Sequence, residues 1–156
     1  MIETALPPWI ATAILPEASV DPMNLKTILV VDDEFYTAEI LTFVLESRGY
    51  RVLGAFNGRD GLEKLKHTPV DLIILDIMMP IMNGAEMARA LQVNDGLSRI
   101  PVLVTSALPE STATIMIGKF DGFLRKPFQI EAILENVSGL LGDSRAPQGL
   151  APREGL

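Results

Sequence analysis

The 156-residue chain has no cysteine, which excludes disulfide scaffolds, thiolate metal sites and cysteine nucleophiles. Positive charge is scarce: 13 basic residues face 20 acidic ones, for a net charge of −7 and a pI near 4.7. Such a balance is a poor starting point for holding a nucleic-acid backbone. Long hydrophobic runs are missing too. The longest uncharged stretch, residues 4–16, has 13 residues and three of them are prolines, whereas a membrane-spanning helix needs about 20 apolar residues. No Lys or Arg precedes Lys26, which argues against a secretory signal. Histidine is limited to His67, at the end of a predicted surface helix, where it reads as an ordinary solvated side chain. What is present is 48% apolar and 21% charged residues, enough to fold one ordinary domain. The expectation is an acidic, soluble, cytoplasmic domain without nucleic-acid or membrane contacts.

Along the chain, residues 1–26 form an arm with four prolines around Trp9 and IATAIL. Residues 142–156 mix Gly and Pro with few large apolar groups and read as a flexible tail. Between them, residues 27–141 alternate between two periods. TILVV (27–31) is a continuous β-branched run, as expected for a strand buried on both faces. VLGAF (52–56), LIIL (72–75), VLVT (102–105) and Phe123-Leu124 supply four more strands. Helical spacing fills residues 34–48, with Gly49 as a C-cap, and roughly 60–67, 84–92, 109–118 and 129–141. Five strands alternating with helices predict an α/β fold, a doubly wound, mainly parallel sheet with helices on both faces.

Four of the five strands lead into a residue able to do chemistry: Asp32 and Asp33 after the first, Asp76 after the third, Thr105 and Ser106 at the fourth, Lys126 after the fifth. In an open parallel sheet, function gathers at the carboxyl ends of the strands. If the first and third strands are neighbours, three carboxylates converge, and such a group needs a cation among them. With all-oxygen ligands and no His or Cys nearby, that cation is Mg²⁺ rather than zinc. One strand-end Asp alone serves equally well as a helix cap. Three of them with a lysine and a threonine are costly as a purely structural device and point to function.

The strings ILVVDDE (28–34), LIILDIMMPIMNG (72–84), VLVTSA (102–107) and DGFLRKPF (121–128) resemble the CheY-like receiver domain of bacterial two-component response regulators. The resemblance implies strand order 2-1-3-4-5 and makes Asp76 the phosphoacceptor. It implies that Asp32, Asp33, Asp76 and the backbone carbonyl of Met78 hold Mg²⁺. Thr105 and Lys126 are implied to bind the incoming phosphoryl group, and Thr105 and Phe123 to form the switch. Three departures stand out: Lys119-Phe120 replaces the usual Gly-Ala before the fifth strand, Asn83 replaces a common Asp, and Met78 and Ala107 flank the acceptor with side chains unable to orient a water.

The resemblance implies a phosphoacceptor signalling protein rather than an enzyme. Its donor would be a sensor histidine kinase or histidine phosphotransfer protein, and its output a downstream protein target. After Leu141 only 15 residues remain, too few for an output domain, so the expectation is a stand-alone receiver. Two alternatives stay open: a degenerate receiver acting as a scaffold, and an Asp-nucleophile phosphatase, which typically carries a second Asp where this chain has Met78. In the arm, Trp9, Ile10, Ile14 and Leu15 fall between Pro7-Pro8 and Pro16. That spacing fits a short amphipathic helix docked on its own domain or on a neighbouring copy, the latter giving a homodimer.

Overall fold

The computed structural model describes residues 24–142. The expected docked helix of the arm, up to residue 23, and the expected flexible tail, from residue 143, lie outside the described residues. Five strands and five helices alternate: β1 (Thr27–Val31), α1 (Phe35–Ser47), β2 (Arg51–Ala55), α2 (Gly58–Leu65), β3 (Leu72–Asp76), α3 (Gly84–Gln92), β4 (Val102–Ser106), α4 (Glu110–Ile117), β5 (Gly122–Arg125) and α5 (Ile130–Leu141). All strand pairs are parallel, and the order is β2-β1-β3-β4-β5, as expected.

Burial follows from that order. β1 and β3 are central and completely buried, which explains their unbroken apolar runs, whereas the edge strands β2 and β5 are largely half-buried or exposed. Alternation along the strands sorts the core into two layers. Leu29, Val31, Ile73, Leu75 and Val104 pack against Leu65 of α2, Met87 and Leu91 of α3, and Ala113 and Ile117 of α4. Ile28, Val30, Leu72, Ile74 and Leu103 pack against Leu41 and Leu45 of α1 and Ile133, Leu134 and Val137 of α5.

Some boundaries shift from the expectation. β2 starts at Arg51 and stops before Phe56, which is exposed. α2 starts at Gly58 because the Asn57 side chain accepts from the Asp60 N–H at 2.9 Å and caps it there. α1 ends as expected, with Gly49 at φ 84° and its N–H on the Glu46 carbonyl.

Two glycines meet opposite surroundings. A Cβ on Gly84 would lie 2.2 Å from the carbonyl oxygen of Asp76, whereas one on Gly139, exposed in α5, would meet nothing within 4 Å. Gly84→Ala should therefore destabilise the protein by about 1–3 kcal/mol, and Gly139→Ala should stabilise it by about 0.5–1 kcal/mol. Urea unfolding of the two variants checks both signs.

Candidate functional site

β1, β3 and β4 are neighbours running the same way, so their carboxyl ends meet at one edge of the sheet. Asp32 follows β1, Asp76 ends β3, and Thr105 sits opposite Asp76 in the β3–β4 register. Strand parity places all three on the side of the sheet that α1 and α5 cover. Asp32, Asp76 and Thr105 are buried, whereas Asp33 is exposed at the mouth. One carboxylate oxygen from each of Asp32, Asp33 and Asp76 lies within 4.8 Å of the other two. The expected convergence of three carboxylates is therefore met.

Lys126 arrives from β5. Its N–H donates to the Ser106 carbonyl at 2.8 Å, and the Lys126–Pro127 peptide is cis. The ammonium donates to Asp32 Oδ2 at 2.8 Å and lies 3.6 Å from Asp76 Oδ1 and 3.9 Å from Glu34 Oε2. Burial opposes its charge, but the hydrogen bond to Asp32 and the charges of Asp76, Asp32 and Glu34 outweigh burial and hold its pKa above the usual lysine value. Asp32 also accepts from the Glu34 N–H at 2.9 Å, so it fastens the turn into α1 as well as the lysine. Burial pushes the Asp76 carboxyl up to about 6. Lys126 and the Met78 N–H pull it down, while the neighbouring Asp32 and Asp33 add to the rise. The Thr105 hydroxyl has no hydrogen-bond partner among the described residues although the residue is only 1% exposed.

The loop after β3 is held from several sides. Asn83 and Glu86 form a reciprocal capping box at the start of α3, at 2.9 and 2.8 Å. The Gly84 N–H donates to the Ile77 carbonyl, and the Gly58 N–H to the Met82 carbonyl. Between these anchors Ile81 takes φ 70°, a conformation that β-branched residues avoid. Asn83, noted in the sequence only as a replacement for a common Asp, is the N-cap of α3, and the Asn-x-x-Glu spacing is its signal. Glu34 beside Lys126 was also missed, though it is the third acid of the DDE string.

The remaining site candidates are more dispersed. Met78 carries its backbone N–H to the Asp76 carboxylate and leaves its side chain exposed. Phe123, half-buried in β5 beside Val104, packs into the layer of α2, α3 and α4. Its ring lies 6.1 Å from that of Phe120 at a 42° tilt, so the two rings are neighbours. His67 is exposed, with Nε2 3.5 Å from Glu63 Oε1, as expected for a solvated side chain.

This constellation has known relatives. The response regulator receiver domain family matches residues 28–138. The chain belongs to that family. The receiver is 34% identical to protein PilH of Pseudomonas aeruginosa, over 73% of this chain and 96% of PilH. It is 37% identical to the response regulator GtcR of Aneurinibacillus migulanus, over 69% of this chain and 45% of that protein. Among solved structures, it is similar to the response regulator TrrA of Thermotoga maritima in complex with Mg²⁺–BeF. That match has 32% identity and a TM-score of 0.68, and it covers 75% of this chain and 100% of TrrA. Apart from PilH, the chain spans about half the length of the curated relatives it matches first. Receiver domains are phosphoacceptor signalling modules that bind Mg²⁺ at acidic residues and interact with histidine kinases or phosphotransfer proteins. The Asp32, Asp33 and Asp76 oxygens fit such an ion by number, spacing and hardness. Among the described residues, no helix is long and apolar enough to cross a membrane.

The raised pKa of Asp76 has a definite sign. Its folded value near 6 lies above the ordinary 3.8, so the folded state disfavours the charged form. The resulting stability cost is absent below pH 4, grows through pH 4–6 and is complete above, at about 3 kcal/mol at most. In metal-free buffer Asp76→Asn should therefore be more stable than the parent at pH 7.5, with the gap closing towards pH 4. Urea unfolding at the two pH values reads this; equal gaps at both would contradict it.

Proposed function

We propose that this receiver is a single-domain response regulator in a phosphorelay. Asp76 accepts a phosphoryl group from a phosphohistidine on a sensor kinase or phosphotransfer protein, and the phosphorylated form binds a downstream protein in the cytoplasm. The observation that carries this is a buried Asp76 with the Lys126 ammonium 3.6 Å away and the buried Thr105 opposite it on β4. The similarity to PilH along 96% of that protein favours the single-domain form, and the net charge of −7 disfavours a nucleic-acid target.

The chemistry follows from the residues. An Asp76 carboxylate oxygen attacks phosphorus; the O–P bond forms as the P–N bond to the donor imidazole breaks. The electron pair leaves with that nitrogen, which takes up a proton from solvent. The Lys126 ammonium neutralises charge on an equatorial oxygen, and the Thr105 hydroxyl donates to another. Asp32, Asp33, Asp76 and the Met78 carbonyl would hold Mg²⁺, which when bound supplies further positive charge to the transferring group. Thr105 is then drawn towards the phosphoryl group and Phe123 repacks. This is a population shift between two arrangements that needs only a few kcal/mol of differential interaction. The protein catalyses nothing beyond its own phosphorylation and dephosphorylation. Neither Met78 nor Ala107 can orient a hydrolytic water, so the phosphoryl group should persist for longer than seconds.

A small-molecule phosphodonor with Mg²⁺ should give one acid-labile adduct by intact mass, and Asp76→Asn should give none. Turnover without an adduct would instead indicate a phosphatase, and no reaction a scaffold. Asp33→Ala should raise the Mg²⁺ concentration needed for half-maximal labelling.

The switch is tested separately. Thr105→Ala should still accept the phosphoryl group yet show a smaller phosphorylation-induced change in the amide spectrum around Phe123 and α4, compared by NMR with and without phosphodonor. A full-sized change in that variant would refute the coupling.

A further inference from the structure

Beside the acceptor site lies a groove of about 550 Å³ between α1 and the start of α5. Its apolar lining comes from Ile40, Leu41 and Val44 of α1, Ile130 and Ile133 of α5, and Phe128. The only charged residues on it are Glu34 and Lys126, both next to the carboxylate cluster. Tyr36, Ile40 and Phe43, at helical spacing, carry exposed apolar surface along the outer side of α1. An apolar groove of this kind selects an uncharged apolar occupant.

The same chain contains one. Residues 4–16 carry no charge, and Trp9, Ile10, Ile14 and Leu15 concentrate large apolar surface in seven positions. Eight residues, 16–23, join that stretch to Asn24, the first described residue. Extended, they reach roughly 26–29 Å. Asn24 lies at the amino end of β1, and α1 returns antiparallel over the sheet, so the Val44 end of the groove is its nearer end. The 13 residues of α1 rise only about 20 Å, which puts the whole groove within reach. Glu17 and Asp21 fall in the connecting stretch, where they can remain in solvent.

We propose that residues 7–15 of this chain occupy the α1–α5 groove of their own receiver domain. The uncharged stretch covers the apolar side chains of both helices, and its far end reaches the edge formed by Ala107 and Lys126. The arm is thereby a cover for the face beside the acceptor site. The inference rests on the groove and the arm, not on the chemistry of Asp76.

Trp9 is the only tryptophan, so intrinsic fluorescence of the full chain reports the arm directly. In native protein its emission should be blue-shifted and resist acrylamide quenching, compared with the same protein in urea. Ile40 and Ile130 are exposed lining residues, so charges there do not enter the core. Ile40→Glu and Ile130→Glu should each shift the emission towards the unfolded value and raise the quenching constant. Val93→Glu and Ile115→Glu, at exposed positions outside the groove, should leave both unchanged. Circular dichroism confirms that each variant is folded. Trp9 as quenchable in native protein as in urea overturns the proposal. So does a protected Trp9 that ignores both groove charges, which would place the arm elsewhere. Protection that vanishes on dilution, together with dissociation of a dimer by sedimentation, overturns docking in the same chain and assigns the groove to the arm of a second copy.

Discussion

Everything at the carboxyl edge of the sheet depends on the ion pair between Lys126 and Asp32. Three carboxylates brought within 4.8 Å repel one another, and two of them are buried. Without a positive charge among them the strand ends would be driven apart or the acids kept protonated. Lys126 supplies that charge at 2.8 Å from Asp32, the most enclosed of the three, and from there still reaches Asp76. The pKa of the Asp76 carboxyl is nonetheless raised, chiefly by burial, with Lys126 opposing the rise and Asp32 and Asp33 adding to it. Asp33, exposed at the mouth, leaves negative charge facing solvent, where a cation can be taken in.

The sheet makes this convergence possible with very few instructions. Because β1 sits between β2 and β3, and β3 beside β4, the residues that end three adjacent strands share one edge. The lysine comes from β5, at the sheet's margin, and its ammonium reaches past β4 to Asp32. The hydrogen bond from its own N–H to the Ser106 carbonyl fixes where that reach starts. Thr105, buried on β4, sits opposite Asp76 in the β3–β4 register.

The central strands and the acidic, hydroxyl and lysine positions were legible in the sequence for a single reason. Strands buried on both faces must be continuously apolar, so the polar residue that ends each run is conspicuous. The edge of β2 was less legible because Phe56 extends the apolar pattern one residue past the last paired position and then points into solvent. The closeness of Gly84 to the Asp76 carbonyl was not legible, since it depends on where α3 returns in space. The α1–α5 groove was invisible for the same reason. Ile40 and Val44 look like any helix face until Phe128 and Ile130 are set opposite them. The contact between Phe120 and Phe123 could be foreseen as a departure at position 120, but not as a ring against a ring.

The acceptor loop shows how the fold tolerates what the site requires. A β-branched Ile81 at φ 70° and a buried carboxylate at Asp76 each cost free energy. Both sit on a segment whose ends are over-determined. β3 is locked between two strands on one side, and the Asn83–Glu86 cap with the Gly84 and Gly58 backbone bonds locks the other. Strain persists only where the surroundings leave the chain no alternative. The two rigid layers on either side of β3 therefore have a direct functional consequence. They hold Asp76 in an environment it would not adopt alone, with the exposed Asp33 and Met78 side chains facing solvent beside it.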